Sequence, residues 1–488
     1  MRSTTSIALG ISLVFAACQP PAAEPPPCPS VSATSAPAVA SATTTTAPAP
    51  PADPRAGLPK ELIAAADKIT AASKDRRKAY DWLVTLTDSF GHRLSGSQSL
   101  ERAIDFSVES MKKAGLSNAR REKVMVPHWV RGKESARIVA PAERELAMLG
   151  LGGTIGTGGK PIKAEVVVVP SLDALKTAGD SVKGKIVLVN QPMPAFDPKT
   201  NETGYGTAAE VRWWAAKEGG QLGAVAALIR SVTAKSFRMP HTGSMAPYTK
   251  DVPKIPAAAL APEDADHIAR LAQKGPVTVE LSMGAKTLPD AESANAIAEL
   301  PGRELPDEVV LVGGHIDSWD VGDGANDDGS GCAMAIDAAV LLKELGLVPR
   351  RTVRVVLFTN EENGLRGGKA YFEAHGKEKH AAALESDFGA GEPRGFQFHA
   401  PAELGAKLRS WTPLFTPLGA AELQEGHAGA DISPLEKAGV PCLGLEPDGS
   451  HYFDLHHSHA DTIDKVDPAA LSKNTAALAL MVYLLAEQ

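Results

Sequence analysis

Apolar residues recur along the chain with two different spacings. Between residues 58 and 116 they return every three or four positions, a period that predicts amphipathic helices. The first such run contains Leu62, Ile63, Ala66 and Ile69. The last of these helices is predicted to span 98–114, with Ser97 or Ser99 as its amino-terminal cap. Over 117–150 apolar and polar residues alternate instead, which predicts strands.

Short apolar runs fill the block between residues 136 and 285, which we call the insert. These runs predict strands over 164–169, 184–189, 223–229 and 277–282. Helical patterns occupy 207–221 and 262–273. The insert has no cluster of histidine, cysteine and acidic residues, so we expect it to cover or shape a site that is built elsewhere. Trp213 and Trp214 within it are predicted to be packing residues.

A third pattern runs from residue 286 to the carboxyl terminus. Apolar runs there predict strands over 294–300, 309–313, 354–359, 382–387 and 440–445. Helices are predicted at 329–346 and 468–487. Strands that alternate with helices indicate an α/β fold with a mainly parallel sheet flanked by helices on both faces. We therefore expect one main domain, made of residues 58–135 and 286–488, that is interrupted by an inserted α/β domain.

The first 57 residues have a different character. Residues 1–17 form a short basic start and an apolar core too short to cross a bilayer, which predicts a signal peptide. Small residues precede Cys18, as in bacterial lipoprotein signals, so Cys18 is predicted to carry a lipid anchor on the periplasmic or outer-membrane side. Ordinary secretion is the alternative. Residues 18–57 are nearly all Pro, Ala, Ser and Thr, which predicts an unfolded tether.

Composition narrows the function classes. A chain of 488 residues suggests two or three domains. Its net charge of -8 and the lack of a long basic run give no support to nucleic-acid binding. Beyond the amino terminus, Cys332 and Cys442 fall in apolar elements and are predicted to be buried thiols rather than a disulfide.

Polar groups follow successive predicted strands. They are His315 with Asp317, Asp327 with Asp328, Glu361 with Glu362, Asp387, and His456 to His459. Each group alone would be ordinary for a solvated turn. Because the carboxyl ends of parallel strands meet at one edge of a sheet, their recurrence predicts a single site there.

Histidine and carboxylate side chains suit divalent metals, zinc first and manganese or cobalt as alternatives. Two ions about 3.5–4 Å apart need a carboxylate that bridges them. Each ion also needs a nitrogen ligand and a further carboxylate. A neighbouring glutamate that binds no metal can take a proton from water. The two histidine groups and three acidic groups of this chain can meet all these needs.

Several of the same stretches resemble a known family. They are His315 to Ser318, Gly324 to Gly331, Asn360 to Gly364, Glu385 to Asp387 and His457 to Thr462. They are similar to the five signatures of the two-zinc exopeptidase family of aminopeptidases and glutamate carboxypeptidases, and most of all to its carboxypeptidase Q branch. The resemblance runs from about residue 80 to the carboxyl terminus and leaves out the signal and tether.

The resemblance implies two Zn2+ ions per chain. It implies that Asp327 bridges them, that His315 and Asp387 complete one site, and that Glu362 and His457 complete the other. Asp328 would then be structural, and His456 and His459 would not be ligands.

The resemblance also assigns roles next to the metals. Glu361 is implied to be the general base, and Asp317 is implied to accept the second N–H of His315. Asp431 and Tyr452 are predicted to be structural rather than substrate-binding, and His92 is predicted to be a surface residue in a loop.

The resemblance implies a zinc-dependent exopeptidase that acts on dipeptides or short peptides. It further implies that the insert is a protease-associated-type domain and contributes to a homodimer. An aminopeptidase with longer substrates is one alternative. A binding protein that kept the fold and lost the chemistry is another, although such a protein should lack ligands or the equivalent of Glu361.

Overall fold

The structure is a computed structural model that describes residues 53–488. The predicted signal peptide and most of the predicted tether lie outside these residues, and both remain predictions. The end of the tether, from Asp53 to Gly57, forms a turn. Arg55 in this turn contacts Asp67 of the first helix at 2.8 Å. The described residues cluster as one unit, Asp53–Gln488.

The third helix begins at one of the two residues that the sequence predicted as its cap. Ser97 Oγ accepts the N–H of Leu100 at 3.2 Å, so Ser97 rather than Ser99 caps the third helix. The α-helices are α1 (Lys60–Ser73), α2 (Lys78–Phe90), α3 (Gln98–Lys113), α4 (Leu172–Lys176), α5 (Tyr205–Gln221), α6 (Pro262–Ala272), α7 (Ser330–Glu344), α8 (Arg366–His375), α9 (Ala402–Ser410), α10 (Thr412–Phe415), α11 (Ser433–Lys437), α12 (Tyr452–Leu455) and α13 (Pro468–Ala486).

The strands belong to two sheets. They are β1 (Ser117–Val130), β2 (Glu134–Ala140), β3 (Arg144–Leu146), β4 (Met148–Gly150), β5 (Ile162–Val169), β6 (Ile186–Val189), β7 (Ala226–Arg230), β8 (Ala257–Leu260), β9 (Thr278–Met283), β10 (Lys286–Leu300), β11 (Leu305–His315), β12 (Arg351–Phe358), β13 (Lys379–Glu385), β14 (Pro393–His399), β15 (Glu422–Glu425) and β16 (Cys442–Pro447).

The first sheet has the order β1-β10-β12-β11-β13-β16-β14-β15. Its four central strands, from β12 to β16, pair in parallel. The pairs β1–β10, β10–β12 and β14–β16 are antiparallel. The sheet is therefore mixed: the predicted parallel strands form its centre, and antiparallel pairs flank them. Apolar periodicity reports which faces are buried but carries no information on the direction of the neighbouring strand.

The second sheet is built entirely by the segment between β1 and β10. Its order is β3-β2-β9-β5-β6-β7-β8-β4, with β5 to β8 parallel and the other pairs antiparallel. The short apolar strands of this sheet are buried on both faces. Val187 and Ile229 pack on one side and Leu188 and Leu228 on the other, in two separate clusters. Continuous apolar runs are typical of such doubly covered strands.

Two helices are buried almost all round beside the first sheet. Nearly every residue of α7 and α13 is buried, and both helices belong to the largest apolar cluster. Helix α13 is long and apolar enough to cross a membrane by composition alone, but 83% of that stretch is buried inside the protein. Its apolar surface is thus used in the core, as expected for a helix without a polar face.

Most predicted elements are confirmed. The five strands predicted after residue 286 correspond to β10, β11, β12, β13 and β16. Apolar patterns predict no elements over 388–439, where the structure has two strands and three helices, β14 and β15 with α9 to α11. These elements are short, and β15 is an edge strand with one buried residue, so their apolar periodicity is weak.

Candidate metal centre

The carboxyl ends of the four central parallel strands meet at one edge of the first sheet. His315 is the last residue of β11, and Asp387 lies two residues after β13. Glu362 lies in the loop after β12, and His457 lies two residues after α12, beyond β16. The structure thus brings the five predicted ligands, including Asp327, to the edge of the sheet where the sequence analysis expected them.

Asp327 lies between two histidines and presents one oxygen to each. Its Oδ1 is 3.2 Å from His315 Nε2, and its Oδ2 is 3.2 Å from His457 Nε2. A further carboxylate lies beside each histidine: Asp387 Oδ1 is 3.3 Å from His315 Nε2. Glu362 Oε2 is 3.0 Å from His457 Nε2. Two nitrogen-and-carboxylate groups therefore share one central carboxylate.

Several atoms that face this centre have no hydrogen-bond partner. Among the described residues, the buried side-chain atoms without a partner include His315 Nε2, Asp327 Oδ2, Glu362 Oε1 and Asp387 Oδ1. A buried polar atom left unpaired costs about 1–3 kcal/mol. A cation among them would satisfy all of these atoms at once, so the donor set fits divalent metal ions.

The charges of the centre also favour cations. Burial, followed by the charge of Asp327, raises the pKa of Glu362 to about 7. Burial opposes the charged form of His457, but the carboxylates of Glu362 and Asp327 outweigh it and raise its pKa to about 9. Burial likewise raises the pKa of Asp387. The centre thus holds more buried acid than it can ionise without additional positive charge.

The turn that carries Asp327 is held by Asp461. The irregular turn Ala325–Gly329 precedes α7, and the peptide bond between Asp327 and Asp328 is cis. Asp461 accepts the main-chain N–H groups of Asn326 at 2.7 Å and of Asp327 at 3.0 Å. Asp461 stands in one of the stretches that resemble the family, but the sequence analysis gave it no role.

Asp317 supports the centre differently from the prediction. Nδ1 of His315 lies 3.0 Å from the main-chain carbonyl oxygen of Asp317 and 3.7 Å from its carboxylate. The carbonyl, not the carboxylate, is therefore the hydrogen-bond acceptor that orients the ring. The Asp317 carboxylate instead accepts the main-chain N–H of Glu361 at 3.1 Å, because the buried side chain points toward the loop after β12.

Asp328 binds main chain rather than facing the centre. Its Oδ2 accepts the N–H of His315 at 2.9 Å, and its Oδ1 accepts the N–H of Gly331 at 3.0 Å. Gly313 and Gly314, the two glycines before His315, lie within β11. A Cβ on Gly314 would come within 2.3 Å of Asp328 Oδ2, so that glycine is needed for close approach.

A buried arginine fixes the segment between His315 and Asp327. Arg93 is fully buried and its guanidinium donates to four carbonyl oxygens, those of Gly91, Ile316, Asp323 and Gly324, at 2.6–2.9 Å. Its neighbour His92 is exposed and lies on the surface. The sequence pattern predicts no such role for Arg93.

A loop of the insert contacts the ligand-bearing segments. The N–H of Thr242 donates to the carbonyl of His457 at 2.9 Å. The hydroxyl of Ser244 donates to the carbonyl of Glu362 at 2.7 Å. These bonds join the second sheet to the centre through main-chain atoms, which sequence patterns cannot reveal.

His456 lies closer to the centre than the sequence analysis expected. Its ring stacks on that of His457 with 3.4 Å between centroids, and its Nε2 is 3.6 Å from Asp327 Oδ2. The ligand atoms of Asp327, His456 and His457 lie within 4.8 Å of one another, as do those of His315, Asp327 and Asp387. Burial, followed by the charge of His457, lowers the pKa of His456 well below its usual range and keeps the ring neutral. His459 is exposed.

The centre opens into a cleft of about 670 Å3. Glu361 is half-buried in its wall. Burial, with the charges of Asp387 and Glu362, raises the pKa of Glu361 well above its usual range. The insert supplies part of the lining through Tyr205, Arg212, Trp213, Ser244, Met245 and Pro247.

Other candidate residues divide between the cleft and the interior. Tyr452 lines the cleft, and so does His427, which the sequence analysis left without a role. Asp431 is buried and accepts the N–H of Gly368 at 3.2 Å, which agrees with a structural role. Cys332 and Cys442 are buried free thiols, as predicted.

Three residues beside the centre have a left-handed backbone. Asn360, Leu365 and His457 are non-glycine residues with φ values of 63°, 55° and 59°. Left-handed conformations of this kind cost about 1–3 kcal/mol and persist where the surrounding structure enforces them. All three lie in the loops that follow β12 and β16, beside the proposed ligands.

Several known proteins are similar to this chain in sequence. The family model described as peptidase family M28 matches residues 295–482. Carboxypeptidase Q of Bos taurus is 41% identical over 422 residues, which cover 86% of this chain and 87% of the bovine protein. Carboxypeptidase Q of Homo sapiens is 40% identical over 438 residues, covering 88% and 91%.

Solved structures share its fold. A peptidase M28 precursor from Shewanella amazonensis superposes with a TM-score of 0.84 at 36% identity, covering 88% of this chain and 97% of that one. An aminopeptidase from Aneurinibacillus sp. strain AM-1 shares the fold with a TM-score of 0.60 at 20% identity, covering 86% and 96%. Because the long relatives match across both sheets and the family model matches the segments that carry the centre, the chain belongs to peptidase family M28 and is a metallopeptidase.

Proposed function

We propose that the chain is an exopeptidase that uses two zinc ions to hydrolyse dipeptides or short peptides. The observation that carries the proposal is the position of Asp327, whose two oxygens face two different histidines at 3.2 Å each. A single ion would need only one of these two oxygens to lie beside a histidine. A carboxylate shared in this way is the arrangement that a two-metal hydrolytic site requires.

The five candidate ligands divide into two sets. His315 and Asp387 would hold one ion, Glu362 and His457 would hold the other, and Asp327 would contact both. The unpaired buried atoms of this group support the assignment. Zinc is favoured over other divalent metals because imidazole nitrogen and carboxylate oxygen are its common ligands. A Bacillus subtilis enzyme of the same fold is described as a zinc aminopeptidase.

Glu361 would carry out the proton transfers of the reaction. Zinc ions, when bound, lower the pKa of water and stabilise negative charge on the substrate carbonyl. Glu361 would take the proton from the attacking water and deliver it to the leaving amine. Its raised pKa makes it a stronger proton acceptor than an ordinary carboxylate. The hydrogen bond from its main-chain N–H to Asp317 keeps it at the edge of the cleft.

Short peptides fit this cleft better than proteins do. Its volume of about 670 Å3 is that of a small-molecule site, and the insert closes one side of it. The similarity to carboxypeptidase Q supports the same choice. An aminopeptidase with longer substrates remains the alternative enzyme. A non-catalytic binding protein of the same fold is disfavoured, since all five candidate ligands and Glu361 are present.

The organisation of the whole chain follows the same resemblance. We propose that residues 136–285 form a protease-associated-type domain within a peptidase domain of residues 58–135 and 286–488. The separate sheet and the apolar cluster on one of its faces, which contains residues of that segment alone, support this division. We further propose that the protein is exported, is anchored through Cys18 and forms a homodimer. Light scattering and metabolic labelling with a fatty acid test the last two proposals.

The deciding assay compares dipeptides with free and blocked termini, with and without a chelator. We expect hydrolysis of free dipeptides that a chelator abolishes and zinc restores. The variant Glu361→Gln should keep its zinc and lose turnover by at least about a hundredfold. Near-normal turnover in this variant, or one zinc or none in the active wild-type protein, would refute the mechanism. Cleavage of dipeptides blocked at one end identifies the terminus that the enzyme requires.

A further inference from the structure

Helix α5 of the insert presents one face to the metal cleft. Tyr205, Arg212 and Trp213 all line the cleft, and their spacing of seven and eight residues places them on the same side of the helix. Arg212 donates to the hydroxyl of Tyr205 at 2.6 Å and to the carbonyl of Ser244 at 3.2 Å. Its guanidinium is therefore already engaged by the protein, which leaves Trp213 as the large apolar group on this face.

Trp213 is exposed where a packing residue would be buried. It is 38% exposed and is one of few large apolar side chains in the described residues with that much contact with water. Trp214, the next residue, packs against the apolar cluster of the insert, with the ammonium of Lys217 4.9 Å from the centre of its ring. The prediction that both tryptophans are packing residues thus fits Trp214 alone. An indole kept in water at the wall of a catalytic cleft points to a ligand that covers it.

Apolar neighbours extend this surface. Met245 and Pro247 lie on the same wall, in the insert loop that also contacts the metal centre. Leu365 lines the cleft from the main domain, and its left-handed backbone, with φ of 55°, is unfavourable for a branched side chain. Strain kept at such a position is consistent with a functional requirement for that side chain. Together these residues form an apolar patch in the cleft that also holds Glu361.

We propose that Trp213 is a specificity-determining residue that binds a large apolar side chain of the substrate next to the scissile bond. The proposal rests on the proposed peptidase function and specifies its substrate class. The apolar patch gives a leucine or phenylalanine side chain a surface to cover. A glycine residue at the same position would leave the indole in water and gain nothing from it.

Kinetics with matched substrates test the proposal. Dipeptides that differ only in Gly, Leu or Phe at one position are hydrolysed by the wild type, Trp213→Ala and Trp213→Phe. We expect Trp213→Ala to lower kcat/KM for the Leu and Phe substrates by about 10- to 100-fold and to leave the Gly substrates within about twofold. Trp213→Phe should retain most of the preference. Phe237→Ala removes an aromatic side chain that is 96% exposed elsewhere in the insert, and it should change nothing.

Binding provides a second readout. In a zinc-loaded Glu361→Gln background, calorimetry should show the same preference for Leu and Phe dipeptides, and Trp213→Ala should remove it. A wild type that hydrolyses no peptide refutes the proposed function, while the binding measurement still decides the role of Trp213. An equal loss for all substrates overturns the inference. A Trp213→Ala variant with unchanged selectivity and an altered oligomeric state also overturns the inference. In that case a second copy of the chain covers the indole.

Discussion

Asp461 Oδ2 accepts a hydrogen bond from the main-chain N–H of Asp327 at 3.0 Å. Its other oxygen accepts the N–H of Asn326 at 2.7 Å, and the side chain is 3% exposed. A second, buried carboxylate therefore holds the backbone from which Asp327 reaches two histidines. Outer partners of this kind typically tune metal affinity without touching the metal.

Replacing Asp461 by alanine should weaken zinc binding by about 10- to 100-fold. The reason is that two buried N–H groups lose their acceptor, and the turn can relax away from the histidines. Competition with a graded series of chelators measures the affinity. Asp464→Ala, at a nearby exposed position, is the control and should leave the affinity unchanged. Equal zinc affinity in the Asp461 variant and the wild type would contradict this role.

The adjacent acids Asp327 and Asp328 should respond differently to substitution by asparagine. Asp327→Asn should reduce the binding of both ions, because its carboxylate faces both histidines. Asp328→Asn should keep the metal stoichiometry but lower the free energy of unfolding by about 1–3 kcal/mol, since one of its two main-chain N–H partners would meet an amide N–H. Metal analysis and denaturant unfolding separate the two outcomes. Loss of both ions in the Asp328 variant would show that it acts through the ligands instead.

Arg93→Met should destabilise the protein strongly. Four carbonyl oxygens, two of them buried, would lose a charged donor, and each such hydrogen bond contributes about 1.5–3 kcal/mol. We expect a loss of at least about 3 kcal/mol in the free energy of unfolding, measured in denaturant. His92→Ala changes the exposed neighbour and should have almost no effect. A small effect of Arg93→Met would mean that water replaces the guanidinium in the segment between His315 and Asp327.

Stability of the metal-free protein should fall as the pH rises. Burial, followed by the charge of Asp327, raises the pKa of Glu362 to about 7 and that of Asp461 to about 6. Carboxyl groups in an unfolded chain titrate near 4, so the folded state holds these protons more tightly. The stabilisation is complete below about pH 4 and is lost as the pH rises through about 6 to 7.

Thermal unfolding in chelator over that pH range measures the effect. Glu362→Gln cannot titrate at this position and should show a shallower decline. Zinc should reverse the trend, because metal binding favours the deprotonated carboxylates. A midpoint in chelator that stays constant or rises between about pH 5 and 8 would contradict the prediction.

The sequence predicted the part of the site that depends on strand ends. His315 and Asp387 follow apolar runs, and the rule that parallel strands meet at one edge was sufficient to bring them together. The resemblance added the pairing of ligands and the role of Glu361. The strands of the second sheet were likewise predicted by continuous apolar runs.

The sequence could not predict contacts that involve main-chain atoms or distant segments. Arg93 binds four carbonyl groups, and any residue type can offer a carbonyl, so no motif announces the contact. The predicted hydrogen-bond acceptor for the His315 ring was wrong for the same reason, since the main-chain oxygen of Asp317 takes the place of its carboxylate. The exposure of Trp213 depends on how α5 lies against the cleft, which its helical period does not determine.

The two connections between the sheets run side by side. β1 pairs with β10 up to Val130 and Lys286, so the chain leaves the first sheet and returns to it at neighbouring positions. What lies between these residues can therefore change in length or sequence without altering the order of strands that carries the metal ligands. The wall that contains Trp213 and the strands that carry the proposed ligands are therefore separate stretches of sequence, open to separate substitution except where Thr242 and Ser244 contact the centre.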